Sequence, residues 1–199
     1  MIVTILLAAG RSVRMGQTKQ LMPFADSTIL EQTIDRYLAS NTEKILVVLG
    51  YQADEIKRTI ADKPVRIITN IAYENGMSTS IIAALKLLDI ETEAIMIGLG
   101  DQPLIDSRTI DKLIDEYHRQ NKGIIIPLYH KKRGHPIIMN IKYKKELLEM
   151  TGDAGAREII HRHQEDTLEV PVTDEGVCVD IDTPDSYQSA VKRWNETTG

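Results

Sequence analysis

Short apolar runs alternate along this chain with stretches in which apolar residues recur every three or four positions. The runs have the length of buried strands and fall at residues 2–7, 45–49, 65–68, 94–97, 124–127 and 136–139. The periodic stretches have the spacing of amphipathic helices and fall at residues 29–38, 53–60, 80–88, 109–118 and 143–150. This alternation predicts an α/β fold in which helices cover both faces of a mostly parallel sheet. The sequence contains no internal repeat or linker, and we expect one domain over residues 1–199.

The loop after the first apolar run carries only positive charges. It contains Gly10, Arg11, Arg14 and Lys19, and the first acidic residue is Asp26. Ligands of parallel α/β sheets bind beyond the carboxyl ends of the strands, so this loop predicts a site for an anion. Its spacing fits neither the Walker A phosphate loop nor the GxGxxG dinucleotide loop. A turn that contains glycine presents backbone N–H groups to phosphate oxygens, whereas the alternative is a solvated loop with scattered basic residues.

Carboxylates follow two further apolar runs. Asp101 lies in GDQP, shortly after the fourth run. A carboxylate beyond a strand end is a suitable Mg²⁺ ligand, although aspartates beside a proline are also common in turns. Asp180 and Asp182 lie two apart in VDIDTP, so on an extended segment over residues 177–181 they face the same way and need a cation or hydrogen-bond donors. The alternative is that Asp182 caps a helix that opens at Pro184, a role compatible with metal binding.

The overall charge limits the classes of partner. The 199-residue chain has a formal net charge of −5, whereas binders of nucleic acid or anionic membranes need a basic face. Residues 129–135, YHKKRGH, are expected to form a loop or hairpin, either a solvated turn or a cationic rim beside the site.

No apolar run approaches the ~18 residues of a membrane span, and the only cysteine, Cys178, suits a reducing compartment. We therefore expect a cytoplasmic protein with neither nucleic-acid nor membrane partners.

Six motifs occur in order along the chain, each on a predicted loop or turn. They are LAAGRSVRMGQTKQL near the start, NIAYENGMSTSI at 70–81, GDQP at 100–103, GHP at 134–136, GDAGAR at 152–157 and DIDTPDS at 180–186. With these motifs the sequence resembles the nucleotidyltransferases of molybdenum cofactor maturation, and within that family the cytidylyltransferases. The resemblance covers nearly the whole chain. It implies the Rossmann-like fold of nucleotide-diphospho-sugar transferases.

The resemblance also implies roles for individual residues. The residues expected to bind the nucleotide are Ala8, Ala9, Gly10, Arg14, Lys19, Asn70, Gly76, Met77 and Ser78. The residues expected to be catalytic are Arg14, Lys19 and Asp101. The expected ligands of Mg²⁺ are Asp101 and Asp182, with Asp180 in support. The residues expected on the side of the acceptor substrate are Gly134, His135, Asp153 and Arg157.

The implied reaction is attack by the terminal phosphate of molybdopterin on the α-phosphorus of CTP, with Mg²⁺ as cofactor and pyrophosphate as a product. Guanylyltransferases of the same pathway have a second glycine where this chain has Ala9, so Ala9 favours CTP over GTP. A sugar-phosphate nucleotidyltransferase and a non-catalytic nucleotide- or cofactor-binding chaperone are the other candidates. The joint presence of Lys19, Asp101 and Asp182 favours an enzyme. The expected partners are CTP, molybdopterin and, transiently, a molybdenum hydroxylase or its chaperone.

Overall fold

The computed structural model describes residues 1–152 and 156–198. The strands in these residues are β1 (Ile2–Ala8), β2 (Pro23–Phe24), β3 (Ser27–Thr28), β4 (Lys44–Leu49), β5 (Arg66–Thr69), β6 (Ala94–Leu99), β7 (Ile124–Tyr129), β8 (Lys132–Arg133), β9 (Ile137–Asn140) and β10 (Thr167–Pro171). The helices are α1 (Ile29–Leu38), α2 (Ala53–Thr59), α3 (Met77–Leu85), α4 (Ser107–Arg119), α5 (Lys144–Leu148), α6 (Arg157–Arg162) and α7 (Pro184–Thr198). No helix of the described ranges has both the length and the apolar character needed to cross a bilayer.

A single mixed sheet organises the molecule, in the strand order β10-β7-β9-β6-β1-β4-β5. Strands β6, β1, β4 and β5 are parallel neighbours, and β10 is parallel to β7. Strand β9 is antiparallel to both β6 and β7, and the short β8 pairs with β7. The predicted α/β architecture with a mostly parallel sheet is therefore confirmed, and the fold is Rossmann-like.

The order of the strands also creates a crevice. From β1 the chain adds β4 and β5 on one side, and it then returns to add β6 on the other side of β1. At such a reversal the loops from the two neighbouring strands leave in opposite directions, which opens a crevice beyond their carboxyl ends. The basic loop follows β1 and the GDQP motif follows β6, so both predicted site loops begin at this point.

Helices cover both faces of the sheet, as the sequence predicts. Alternate residues of β1 point to opposite faces, so Leu6 packs in one core cluster and Ile5 in the other. The first cluster includes apolar residues of α1, α2 and α4, and the second includes those of α3, α5 and α6. Helix α1 begins where its sequence dictates, because the Thr28 hydroxyl accepts a hydrogen bond from the Glu31 N–H at 3.3 Å and the Glu31 carboxylate accepts from the Thr28 N–H at 3.1 Å.

A third apolar cluster lies beneath the loop that follows β1. Phe24 and Trp194 of α7 meet edge to face with ring centroids 5.5 Å apart, and the Arg36 guanidinium lies 4.7 Å from the Trp194 ring centre. Met15, Met22 and Ala190 are buried in the same cluster. The C-terminal helix therefore supports the basic loop from below.

The structure corrects two expectations about elements near the site. Helix α3 begins at Met77 rather than residue 80, directly after Gly76, whose φ of 103° is in the region that favours glycine. Residues 177–181 are not a strand: Glu175–Cys178 is a 3₁₀ turn, and the residues after it follow an irregular path. This segment does not join the sheet: the Val177 carbonyl accepts from the Gln102 side chain and from the His135 N–H, and the Ile181 N–H donates to the Asp101 carbonyl.

Candidate active site

A cleft of about 540 Å³ opens beyond the carboxyl ends of β1 and β6. Its walls are the loop after β1, the beginning of α3, the loop after β6 and residues 180–182. The predicted site residues that line it are Ala8, Ala9, Gly10, Arg14, Lys19, Gly76, Met77, Asp101, Asp180 and Asp182. The cleft therefore brings together residues from both ends of the chain.

Gln20 holds the loop after β1 in place. Its side chain is buried, and its amide donates to the carbonyls of Ala8 at 3.2 Å and Gly10 at 3.1 Å. Its amide oxygen accepts from the hydroxyl of Ser12, and that hydroxyl accepts from the Lys19 N–H, each at 3.2 Å. Sequence reasoning missed Gln20, because most of its partners are backbone groups that no motif identifies. These bonds fix the backbone from which Lys19 projects into the cleft.

The Lys19 ammonium lies between two carboxylates. It donates to Oδ2 of Asp101 and, at 2.6 Å, to Oδ1 of Asp182. The side chains of Lys19 and Asp101 are only 11% and 15% exposed, so this cluster is largely shielded from water. The exposed Arg14 donates to the other oxygen of Asp182 at 2.7 Å. Three regions of the sequence thus meet in one charged network.

Burial and charge act in opposite directions on these groups. Burial lowers the pKa of Lys19, but the carboxylates of Asp101 and Asp182 outweigh it and raise the pKa above its ordinary value. Burial raises the pKa of Asp182, yet Lys19 and Arg14 bring that pKa below its usual value. For Asp101, burial dominates and raises the pKa even though Lys19 opposes it. The lysine is therefore charged, and Asp101 is the carboxylate that a further cation would stabilise most.

The carboxylates also fit a divalent cation. Oδ1 of Asp101 is buried and has no hydrogen-bond partner among the described residues. Mg²⁺ typically takes one or two protein carboxylates and completes its shell with water and phosphate oxygens, which Asp101 and Asp182 permit. Within the part of the chain that the structure describes, no group of three or more His, Cys, Asp and Glu side chains is arranged to hold a metal. A metal here would therefore depend on oxygens from a bound ligand.

Residues 177–182, which we call the strap, deliver Asp180 and Asp182 to the cleft. The buried amide of Gln102 donates to the Val177 carbonyl at 3.2 Å and to Oδ1 of Asp180 at 2.6 Å. The Ile181 N–H donates to the backbone carbonyl of Asp101 at 3.0 Å. Asp180 is exposed and bound to Gln102, whereas Asp182 faces Lys19. Sequence reasoning assigned no role to Gln102, since its partners are distant in the chain.

Two of the predicted acceptor-side residues, Gly134 and His135, lie beside the strap rather than in the lining of the cleft. Gly134 packs against the Val177 carbonyl so closely that a Cβ atom would collide with it, and the His135 N–H donates to the same carbonyl at 2.8 Å. Burial lowers the pKa of His135 to about 4, with nearby Asp101 opposing the shift and Arg157 adding to it. Arg157 is exposed at the start of α6, and Asp153 lies outside the described residues.

The loop before α3 uses its polar residues internally. Asn70 is buried, and its amide donates to the hydroxyls of Thr79 at 2.8 Å and Ser80 at 3.0 Å. Ser78 is buried as well, and its N–H donates to the carbonyl of Gly152 at 3.1 Å. Neither Asn70 nor Ser78 belongs to the lining of the cleft. They hold the loop in shape, whereas the neighbouring residues of α3 reach the cleft.

Two basic segments differ in their relation to the cleft. Arg11, to which the sequence assigned no role, lines the cleft and forms an ion pair with Glu74 at 2.9 Å. Residues 129–135 form the β7–β8 hairpin, whose turn residues His130 and Lys131 have positive φ. The tip of the hairpin is exposed and does not line the cleft, which favours the solvated turn over the cationic rim.

A crevice at a strand-order reversal, with a cationic loop facing paired carboxylates, defines a site suited to a phosphorylated nucleotide. A family profile described as a MobA-like NTP transferase domain matches residues 4–167, and the chain belongs to this family of nucleotidyltransferases.

Several relatives resemble the chain over nearly its whole length. Molybdenum cofactor cytidylyltransferase of Escherichia coli (strain K12) is 31% identical over 193 residues, which cover 96% of each protein. Nicotine blue oxidoreductase of Paenarthrobacter nicotinovorans is 27% identical and is matched over 91% of its length by 90% of this chain. The crystal structure of Rv0371c of Mycobacterium tuberculosis H37Rv in complex with manganese has a TM-score of 0.83 at 27% identity, covering 96% of this chain and 98% of that one.

Proposed function

We propose that the protein transfers CMP from CTP to the terminal phosphate of molybdopterin, releasing pyrophosphate, with Mg²⁺ as cofactor. Nucleotidyl transfer is supported by family membership, and the two substrates are suggested by the similarity to the Escherichia coli cytidylyltransferase. The observation that carries the proposal is the Lys19 ammonium in contact with Asp101 and Asp182 inside the cleft. The single cysteine supports a cytoplasmic location, where thiols stay reduced.

The proposed step requires positioning and charge neutralisation more than acid–base chemistry. An oxygen of the terminal phosphate of molybdopterin forms a bond to the α-phosphorus of CTP. The bond from that phosphorus to the α,β-bridging oxygen breaks, and pyrophosphate leaves with the electron pair. A phosphate monoester is already largely ionised at neutral pH, since its second pKa is about 6, so no general base is needed.

The residues of the cleft supply what this step needs. Lys19 and Arg14 offer positive charge to the triphosphate, and the loop held by Gln20 directs Lys19 to it. Asp101 and Asp182 would hold Mg²⁺, which when bound neutralises phosphate charge and orients the oxygens. Ala8, Ala9 and Gly10 would lie against the nucleotide, with Gly76 and Met77 on the side of the base. Asn70 and Ser78 would act by shaping the loop that carries them.

The acceptor would approach from the side of the strap. Gly134 and His135 pack against this segment, and Arg157 is close enough to influence the pKa of His135. An exposed arginine suits an anionic acceptor, since guanidinium groups bind phosphate well. We assign the acceptor side to these residues and to Asp153.

The proposal is tested by pyrophosphate release from CTP, GTP and ATP in the presence of Mg²⁺ and molybdopterin. The methyl group of Ala9 leaves less room for a purine than a glycine would, so kcat/KM for CTP should exceed that for GTP at least tenfold, or about 1.4 kcal/mol. Better turnover with GTP would instead identify a guanylyltransferase, and equal turnover would contradict the preference for CTP. Replacement of molybdopterin by sugar phosphates in the same assay tests the sugar-phosphate alternative.

The second candidate is a non-catalytic chaperone that binds nucleotide or cofactor for a molybdenum hydroxylase. The similarity to nicotine blue oxidoreductase favours testing it, because that relative is not named as a transferase. Binding of CTP without turnover, together with capture of molybdopterin, would support this candidate. Turnover that is lost in Lys19→Ala and retained in Lys63→Ala would support the enzyme, since Lys63 pairs with Asp35 outside the cleft.

A further inference from the structure

The cation position between Asp101 and Asp182 already has an occupant in the protein itself. The Lys19 ammonium contacts Oδ2 of Asp101 and is 2.6 Å from Oδ1 of Asp182. The lysine side chain is only 11% exposed, so it is inserted between the carboxylates and does not project into solvent. The carboxylates proposed to bind Mg²⁺ are thus the ones that Lys19 uses.

An ammonium and a divalent ion cannot share this position. Mg²⁺ binds carboxylate oxygens at about 2.0–2.1 Å, so an ion bridging the two oxygens that Lys19 contacts, Oδ2 of Asp101 and Oδ1 of Asp182, would lie against the lysine nitrogen. Two cations in contact repel each other strongly where little water is present to screen them. Binding of a bridging metal therefore requires that Lys19 move away.

We propose that Lys19 is the resident cation of the nucleotide-free protein and that a divalent ion replaces it between Asp101 and Asp182 when a triphosphate draws the ammonium away. The identity of the triphosphate rests on the proposed function, whereas the exchange concerns only these three side chains. The metal then binds weakly without nucleotide and tightly with it. Because coupling between two ligands is reciprocal, the metal also strengthens nucleotide binding.

When a neutral residue replaces Lys19, the other contacts of Asp101 and Asp182 determine how the two carboxylates respond. Asp182 keeps a partner, since its Oδ2 accepts from Arg14 at 2.7 Å. Asp101 loses the donor to Oδ2, and its buried Oδ1 has no partner among the described residues. A buried carboxylate without a counter-ion is unfavourable, so it should recruit a metal readily. Neutral variants of Lys19 are therefore expected to gain metal affinity.

The test is a titration of the nucleotide-free protein with Mn²⁺, in which electron paramagnetic resonance measures free Mn²⁺. Lys19→Met and Lys19→Gln should bind Mn²⁺ at least tenfold more tightly than the wild type, and Lys19→Arg should bind it as weakly as the wild type.

Lys63→Met is the matched control, because it removes the same charge from an ion pair with Asp35 outside the cleft. Asp101→Asn added to Lys19→Met should abolish the gain. Equal affinities in the wild type and both neutral variants would overturn the proposal.

A second measurement uses the wild type, so it tests the proposal even if thermal melting shows that the Lys19 variants do not fold. Saturation of the wild type by micromolar Mn²⁺ without nucleotide would overturn the proposal by itself. Addition of α,β-methylene-CTP to the wild type should raise its Mn²⁺ affinity at least tenfold. If the neutral variants bind Mn²⁺ tightly but this CTP analogue has no effect, the exchange is supported and the assignment of CTP is contradicted.

Discussion

At the scale of single residues, Asp101 is the carboxylate of the cleft whose negative charge is opposed by burial and balanced mainly by Lys19. Burial raises its pKa, one of its oxygens has no described partner, and the other depends on Lys19. Asp182 is more exposed and has two cationic partners. Asp180 is exposed and bound to the neutral amide of Gln102. The three carboxylates are therefore not equivalent, although the sequence places all three after apolar runs.

This difference predicts a graded effect of Asp→Asn substitution. Asp101→Asn keeps the shape of the side chain but removes the charge, so it should reduce turnover at least tenfold and raise the Mg²⁺ concentration needed for half-maximal turnover. Asp182→Asn should have a smaller effect and Asp180→Asn the smallest. The measurement is a Mg²⁺ titration of CTP turnover for the three variants. Wild-type curves for Asp101→Asn would refute the metal site, whereas a larger defect at Asp180 than at Asp182 would reverse only their order.

His135 predicts a pH dependence of stability. Its pKa is about 4 in the folded protein and about 6.5 in an unfolded chain. The unfolded state therefore binds the proton first as the pH falls, so this stabilisation is complete above about pH 6.5 and is lost towards pH 4. The loss amounts to at most about 3 kcal/mol. Asp101 and Arg157 are the charged groups that act on this ring.

The measurement is the free energy of unfolding by urea between pH 4 and 7, with a chelator present. His135→Asn should flatten the decline relative to the wild type. His161→Asn serves as the control, because His161 is exposed on α6. Parallel curves for His135→Asn and the wild type would show that His135 does not cause the decline.

At the scale of elements, the strap shows how a segment with a strand-like sequence becomes irregular. Val177 and Ile181 are buried as their apolar character demands. The hydrogen bonds that a strand would form with a neighbouring strand are formed instead with the Gln102 side chain, the His135 N–H and the backbone carbonyl of Asp101. The strap therefore depends on the loop after β6, and the two acidic segments are positioned as one unit.

Gln102→Leu should disturb this unit, because leucine has a similar size but cannot donate to Asp180 or to the Val177 carbonyl, which then keeps only the His135 N–H. We expect a loss of about 1–3 kcal/mol in the free energy of unfolding. We also expect a higher Mg²⁺ requirement, since Asp182 follows the same segment. Denaturant unfolding and Mg²⁺-dependent turnover are the measurements. The control is Gln188→Leu, at an exposed position of α7. An unchanged Mg²⁺ requirement would show that Gln102 does not position the carboxylates.

At the scale of the whole molecule, the cleft joins distant parts of the fold, so a bound nucleotide should stabilise all of them together. At a nucleotide concentration 100-fold above Kd, binding adds about 2.7 kcal/mol to the free energy of unfolding. For a chain of this length, that corresponds to a rise in Tm of roughly 5–10 °C. Thermal melting with CTP and Mg²⁺ measures the rise, and GTP at the same concentration should give a smaller one. No rise at saturating CTP would contradict a CTP site.

The sequence by itself determined the features that depend on neighbouring residues. The periodicity of residues 29–38 gives α1 with the same bounds, because both its capping box and its apolar face are local. The apolar run at residues 2–7 likewise gives β1, and the basic loop follows it. Such patterns reflect the 3.6-residue and two-residue periods of helices and strands. The fold class followed from them directly.

Only the tertiary structure decided which charged groups meet. Lys19 is 82 positions from Asp101 and 163 from Asp182, and Gln102 is 78 positions from Asp180. Contacts over such separations depend on the order and register of strands, which no local pattern specifies. The sequence accordingly places a cation between carboxylates but does not say that the cation is Lys19. The burial of that lysine likewise depends on tertiary structure, because the walls of its cleft come from the loop after β1, the start of α3, the loop after β6 and the strap.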